Sequence, residues 1–296
     1  MTGPSVGVEG EARQPEGKAG GERAGILLAA YGPGALAADR ALALFAQLAR
    51  ERCPGFAVRW AFTSERLRGR LAAGGRKTDS VGKALARMAF ERYSRVAVQS
   101  LHLIAGTEYG ALEEEVLAAR ERCALERVSL GPPLLYEASD IARAAEALFA
   151  HLPLERRPWE PVVFMAHGAG HGGGSAYAAL ETALKTAGAE QAGPILIGAV
   201  SGEGGLDTIL ERLGALEHAH AEKKVWLLPL LALVGKHAAE DMAGDKSGSW
   251  RNRIETAGFS CRTVLKGLVE YEGIAEIWLE HLNRALNELE FGERQI

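Results

Sequence analysis

Four of the eight histidines occupy positions from which an α/β chain can do chemistry: His102, His167, His171 and His237. His102 follows the apolar run at 95–100, His167 follows the run at 162–165, and His237 follows the run at 225–234. Ligands of parallel α/β folds bind beyond the C-terminal ends of strands, so these imidazoles are expected to face a cleft. Neutral imidazole binds borderline divalent cations such as Co²⁺, Ni²⁺ and Zn²⁺ and accepts protons near neutral pH. His167 and His237 lie in related loops, and their side chains are expected to converge. The plainer alternative is two unrelated histidines, each satisfied locally. His171 lies four residues beyond His167, but Gly168, Gly170, Gly172 and Gly173 argue against a helix there, so it is the weaker ligand candidate. His151, His218, His220 and His281 fall in polar or helical contexts and are read as solvated surface.

Other chemistries fit less well. The glycine-rich run at 168–174 suggests a phosphate cradle at a helix N-terminus. It lacks the GxxxxGK[ST] pattern, and its GxGxxG match has no acidic residue at the next strand end, where Ser201 stands instead. Ser201 in turn lacks the first glycine of a G-x-S-x-G elbow. Glu113, Glu114 and Glu115 read as a solvated helix face. Glu108 opens a helix after a strand, where a carboxylate favours the positive end of the helix dipole.

Those residues need strands and helices to hold them. Apolar runs at 26–30, 56–62, 95–100, 127–130, 162–165, 194–200, 224–228 and 260–265 read as strands. Helical periodicity occupies 35–52, 64–71, 80–92, 108–122, 175–186, 206–213, 248–257 and 274–289, and a further helix opens near His237. Ser64 and Ser80 are the expected N-caps of their helices. Strands alternating with helices give parallel sheets with helices on both faces, a Rossmann-like arrangement. The pattern also repeats. Tyr31-Gly32-Pro33-Gly34 parallels His167-Gly168-Ala169-Gly170, and the strand leading to Gly106 and Glu108 parallels the one leading to Gly235 and His237, at nearly the same offset. The expected organisation is a short disordered tail at 1–24, an α/β half at 25–156 and a second half at 157–296. The cleft between two such halves is the natural pocket.

The 296 residues suffice for two such halves, and 47% apolar content supplies a core. The net charge of −4 lacks the basic excess of a nucleic-acid binder. Cys53, Cys123 and Cys261 are widely spaced, with no CxxC pair, as expected of thiols in a reducing compartment. No apolar run approaches the roughly 20 residues of a membrane span, and the first residues lack the order of a secretory leader. A cytoplasmic protein is expected, with its oligomeric state left open.

Taken together, four blocks resemble the anaerobic sirohydrochlorin cobaltochelatases. They are Gln99-Ser-Leu-His102-Leu-Ile-Ala-Gly106-Thr-Glu108-Tyr109, Val162-Val-Phe-Met-Ala-His167-Gly-Ala-Gly-His171, His237-Ala-Ala-Glu-Asp241-Met-Ala-Gly-Asp245, and Ser249-Trp250 beyond it. Ala61-Phe-Thr-Ser64 and Gly267-Leu268 also fit. The resemblance implies two halves related by a pseudo-twofold, as in class II ferrochelatases. It implies insertion of Co²⁺ into a sirohydrochlorin-type tetrapyrrole on the anaerobic cobalamin route, without a nucleotide. Ni²⁺ or Fe²⁺ is an alternative metal, since both suit imidazole. The family's metal-binding and catalytic histidines map onto His167 and His237. Tyr31, His102, Glu108 and Ser201 are expected to line the cleft as substrate-binding residues. Ser201 stands where the family usually carries Glu, with Glu203 two residues on; Lys236 stands where it usually carries Asp; and Tyr31-Gly32-Pro33-Gly34 replaces a Phe-Gly-Thr-Ser type turn. A non-catalytic tetrapyrrole or metal-binding protein of the same fold is the rival reading.

Overall fold

In a computed structural model the described residues are 23–32, 36–168, 174–188, 193–200, 204–216, 223–235 and 237–291. The expected tail, apart from Arg23 and Ala24, lies outside them. The first half runs β1 (Arg23–Ala30), α1 (Leu36–Arg52), β2 (Ala57–Phe62), α2 (Glu65–Ala73), α3 (Val81–Phe90), β3 (Tyr93–Ser100), α4 (Thr107–Arg122), β4 (Arg127–Gly131) and α5 (Ala138–Ala150). The second half runs β5 (Val162–Ala166), α6 (Gly174–Gly188), β6 (Ile195–Ala199), α7 (Leu206–Gly214), β7 (Lys224–Leu230), α8 (Trp250–Thr256), β8 (Ser260–Thr263) and α9 (Glu272–Phe291), with a π-helical turn at His237–Met242.

The strands form two four-stranded, wholly parallel sheets of matching order, β2-β1-β3-β4 and β6-β5-β7-β8. Sheets covered on both faces need strands that are apolar on both faces, which is why β1, β5 and β7 read as unbroken apolar runs. Their alternation sorts the core. Ile26, Leu28 and Ala30 of β1 and Val162, Phe164 and Ala166 of β5 point into one large central cluster shared by both halves. Leu27 and Ala29 pack outward under α3 and α4. Val163 and Met165 pack outward against Trp250 and Ile254. Ser64 and Ser80 cap α2 and α3 as their sequence context requires, accepting from the Leu67 and Lys83 N–H groups at 3.3 Å.

Two features depart from the sequence reading. The chain between β4 and β5 contains a helix, α5, that the sequence reading did not mark. His281, expected at the surface, is fully buried on α9, with Nε2 3.2 Å from Asp140 Oδ2 of α5. The reason is the position of α9. Although it follows the last strand of the second sheet, α9 packs on β3 and β4 of the first and on α5. Ser129 Oγ donates to the Ala285 carbonyl at 2.7 Å and Arg143 pairs with Glu280 at 2.6 Å, so the helix is held on several sides and its polar residues are enclosed. Burial depresses the His281 pKa, opposed by the Asp140 carboxylate.

Trp278 of α9 is also fully buried and meets Phe45 of α1 edge-to-face at 6.1 Å. This contact ties the C-terminal helix to the first half. Trp278→Ala is expected to lower the unfolding free energy by about 3–5 kcal/mol, the usual cost of emptying a large aromatic site, as measured by urea denaturation.

Candidate functional site

In a sheet of order 2-1-3-4 the chain leaves β1 to one side and returns to β3 on the other, so a gap opens between the carboxyl ends of these two strands. The same gap opens between β5 and β7. The two gaps face one another and merge into a cavity of about 350 Å³. Its walls come from all four strand ends: Tyr31 and Gly32 after β1, Leu101 to Ile104 after β3, His167 and Gly168 after β5, and Leu231 to Leu233 with Gly235 after β7.

The duplicated turns are alike in backbone as well as sequence. Gly32 and Gly168 both have φ of +134°, a region that disfavours a side chain. At Gly32 a Cβ would also lie 2.5 Å from Leu67 Cδ2. These turns bring the preceding residues together across the pseudo-twofold, with the Tyr31 and His167 rings 5.2 Å apart between centroids at 50°.

His167 is partly open to the cavity, its side chain 34% exposed, and its Nδ1 lies 4.0 Å from Glu108 Oε1. Glu108 sits in the first turn of α4, whose N-terminal dipole favours a carboxylate. Glu108 thus places a carboxylate on the Nδ1 side of the His167 ring. Tyr177 of α6 lines the same cavity; burial, then the Glu108 charge, raise its phenol pKa and keep it protonated. The loop after β5 leads into α6, and Glu181 anchors that helix. It accepts from the Ile197 N–H at 2.8 Å and Lys185 at 2.9 Å and pairs with Arg212. Burial alone would raise its pKa, but these partners outweigh that and hold it low.

His102 behaves differently. It is 7% exposed, and burial pushes its pKa down to about 4, so the ring is neutral at pH 7. Thr63 Oγ1 donates to the Ala30 carbonyl at 3.4 Å and therefore receives the His102 Nε2 hydrogen at 3.3 Å. Ser100 Oγ accepts from the His102 backbone N–H at 3.2 Å and donates to Nδ1 at 2.9 Å. Both ring nitrogens are thus occupied by hydroxyls. His102 is a fixed wall of the cavity rather than a spare ligand.

Tyr31, His102, Glu108 and His167, singled out from sequence, therefore share one cavity. The backbone of His237 opens the π-helical turn two residues beyond Gly235, which lines that cavity; its side chain lies outside the description. Ser201, His171, Glu203 and Lys236 lie outside the described residues, as do His218 and His220. His151 is exposed, with Nδ1 2.7 Å from the Ala147 carbonyl, as expected. Among the described residues no group of three or more His, Cys, Asp or Glu side chains converges to hold a metal. The sequence reading passed over Leu67, Arg70, Tyr109 and Tyr177, all cavity residues. It also gave no role to Leu231-Ala232-Leu233, although apolar residues continuing past a strand end, where a polar loop is normal, are a legible sign of a pocket wall.

The depressed His102 pKa has a definite stability consequence. The unfolded chain binds a proton on this residue near pH 6.5, while the folded chain resists doing so until about pH 4. Stability from this site is complete above pH 6.5 and falls as the pH drops through that window, by up to about 3 kcal/mol at its lower end. His102→Gln is expected to flatten this part of the pH–stability curve, as followed by denaturant titrations at pH 4 to 7.

Comparison with known proteins agrees with this geometry. The family model described as cobalt chelatase (CbiK) matches residues 24–287. The sirohydrochlorin cobaltochelatase CbiKC of Nitratidesulfovibrio vulgaris is 48% identical over 266 residues, covering 90% of this chain and 92% of its own. The sirohydrochlorin cobaltochelatase of Salmonella typhimurium is 35% identical over 236 residues, covering 79% and 85%. Among solved structures, SirB from Bacillus subtilis with Fe³⁺ superposes with a TM-score of 0.62 at 12% identity, covering 90% of this chain and 97% of its own. CbiX, described as the terminal enzyme of sirohaem biosynthesis in denitrifying bacteria, superposes with a TM-score of 0.55 at 16% identity, covering 88% and 99%. The structural likenesses speak for the fold, and the sequence matches go further: this chain belongs to the cobalt chelatase family.

Proposed function

We propose that this chain is a cytoplasmic sirohydrochlorin cobaltochelatase that inserts Co²⁺ into the macrocycle without a nucleotide. The observation that carries the reading is the meeting of Tyr31, His102, Glu108 and His167 in one apolar-walled cavity between matched halves. The two cobaltochelatase relatives supply the metal and the macrocycle. The three cysteines are free, in keeping with a reducing compartment, and no helix among the described residues is long and apolar enough to cross a membrane.

The reaction exchanges two pyrrole N–H protons for one Co²⁺, so the site must hold a cation, seat a flat ring and accept two protons. The leucines after β3 and β7 offer the ring apolar faces from both sides. His167, together with His237, delivers the metal through a ring nitrogen; imidazole would serve Ni²⁺ or Fe²⁺ equally. As the metal moves to the macrocycle, the freed imidazole is a base of suitable strength for a pyrrole proton. Glu108, 43% exposed beside His167 Nδ1, orients that ring and passes protons toward solvent. His102, already neutral and doubly hydrogen-bonded, adds no charge to oppose the cation. Tyr31 holds the His167 ring from the other half.

The test is spectroscopic. Sirohydrochlorin and Co²⁺ are mixed with and without the protein, and the Soret and visible bands are followed. Insertion faster than the spontaneous rate supports the enzyme; bound pigment with no acceleration rejects it in favour of a carrier. His167→Ala and His237→Ala are each expected to lower the rate at least about 100-fold with the fold intact by circular dichroism. Glu108→Gln, which keeps the shape but removes the charge, is expected to lower it about 10–100-fold.

A further inference from the structure

Apart from the imidazoles, the described residues lining the cavity carry two formal charges, Glu108 and Arg70. Glu108 belongs to the metal side, beside His167. Arg70 belongs to α2. It follows Leu67 by three residues, so the two side chains leave the same face of the helix. Leu67 is buried in contact range of Gly32, which fixes that face over the turn after β1. Arg70 itself is exposed at the cavity wall. Its neighbours are engaged elsewhere: Arg68 donates to the Thr63 carbonyl at 2.9 Å, and Arg76 pairs with Asp39 at 2.7 Å. The Arg70 guanidinium has no carboxylate partner among the described residues, though it stands where a ligand would arrive.

Resting on the function proposed above, we infer that Arg70 anchors a peripheral carboxylate of the tetrapyrrole and sets which edge of the pigment faces α2. Sirohydrochlorin carries acetate and propionate arms around its ring. The cavity lies at the lower end of the range of about 300–1,000 Å³ usual for small-molecule sites, so the ring occupies the apolar interior and the arms extend to its mouth. A guanidinium there matches a carboxylate with two parallel N–H···O bonds, which a lysine cannot reproduce. Glu108 acts in the opposite sense, repelling carboxylate arms from the His167 side. The two charges together select one orientation of the ring. Arg70 touches the part of the substrate that does not react, and its contribution is the same before and during metal insertion, so its loss falls on KM.

The experiment compares the wild type, Arg70→Met, Arg70→Lys and Arg66→Met with sirohydrochlorin as substrate. Arg66 is exposed on the same helix and does not line the cavity, so it controls for loss of a charge alone. Arg70→Met is expected to raise KM about tenfold with kcat within about twofold, Arg70→Lys to fall between, and Arg66→Met to leave KM unchanged. A KM for Arg70→Met within about twofold of wild type, or an equal rise for Arg66→Met, overturns the assignment. A metal-free titration of the pigment separates this assignment from the chelatase reading, since it needs no turnover. If the wild type fails to accelerate insertion, the chelatase reading falls, while weaker pigment binding by Arg70→Met still supports the anchor and equal binding overturns it. With the fully esterified pigment the wild type and Arg70→Met are expected to bind alike; a persisting difference rejects carboxylate recognition.

Discussion

The site depends on the burial of one apolar seam between two parallel sheets. Phe45 from the first half, Phe164 and Trp226 from the second, and Trp278 from α9 belong to a single continuous cluster. A parallel sheet must have both faces covered, and here the first sheet takes α9, which follows the last strand of the second, as cover over β3 and β4. The halves share that cluster and the α5–α6 contact, and the switch-point gaps of both sheets open into the same space. Neither gap alone would enclose a macrocycle.

Within that space the polar groups follow from the ends of the strands, and the apolar groups from the short segments just beyond them. The arrangement keeps charge scarce. His102 loses its charge to burial, while Tyr177 stays protonated. The Glu108 carboxylate lies 4.0 Å from Nδ1 of His167, so the one acidic side chain among the described lining residues stands beside a partly open imidazole.

Much of this was legible in the sequence for physical reasons. Doubly buried strands must be unbroken apolar runs, so β1, β5 and β7 announced themselves. Ser64 and Ser80 marked helix starts because their hydroxyls satisfy otherwise unpaired N–H groups. Placing His102 and His167 in the cleft needed only the rule that strand ends face the ligand, whereas Tyr31 and Glu108 were put there by the resemblance to the family. The helix α5 was passed over although it is amphipathic, since it opens on Glu137 and Asp140 rather than on a Ser or Thr cap. His281 was misread because a histidine on a helix with charged neighbours normally faces water; that α9 is enclosed by β4 and α5 depends on contacts between residues more than a hundred positions apart. Arg70 was illegible for the same kind of reason, as its significance rests on which side of α2 faces the gap.

The crossing of α9 onto the first sheet also constrains how the molecule comes into being. On a ribosome, β3 and β4 emerge long before the helix that packs on them, and until residues 272–291 have cleared the exit tunnel that part of the sheet lacks its cover. The nascent first half must wait, partly exposed, for a helix that follows every strand of the second sheet. A premature stop that spares every cavity residue named above would still leave an unfinished protein.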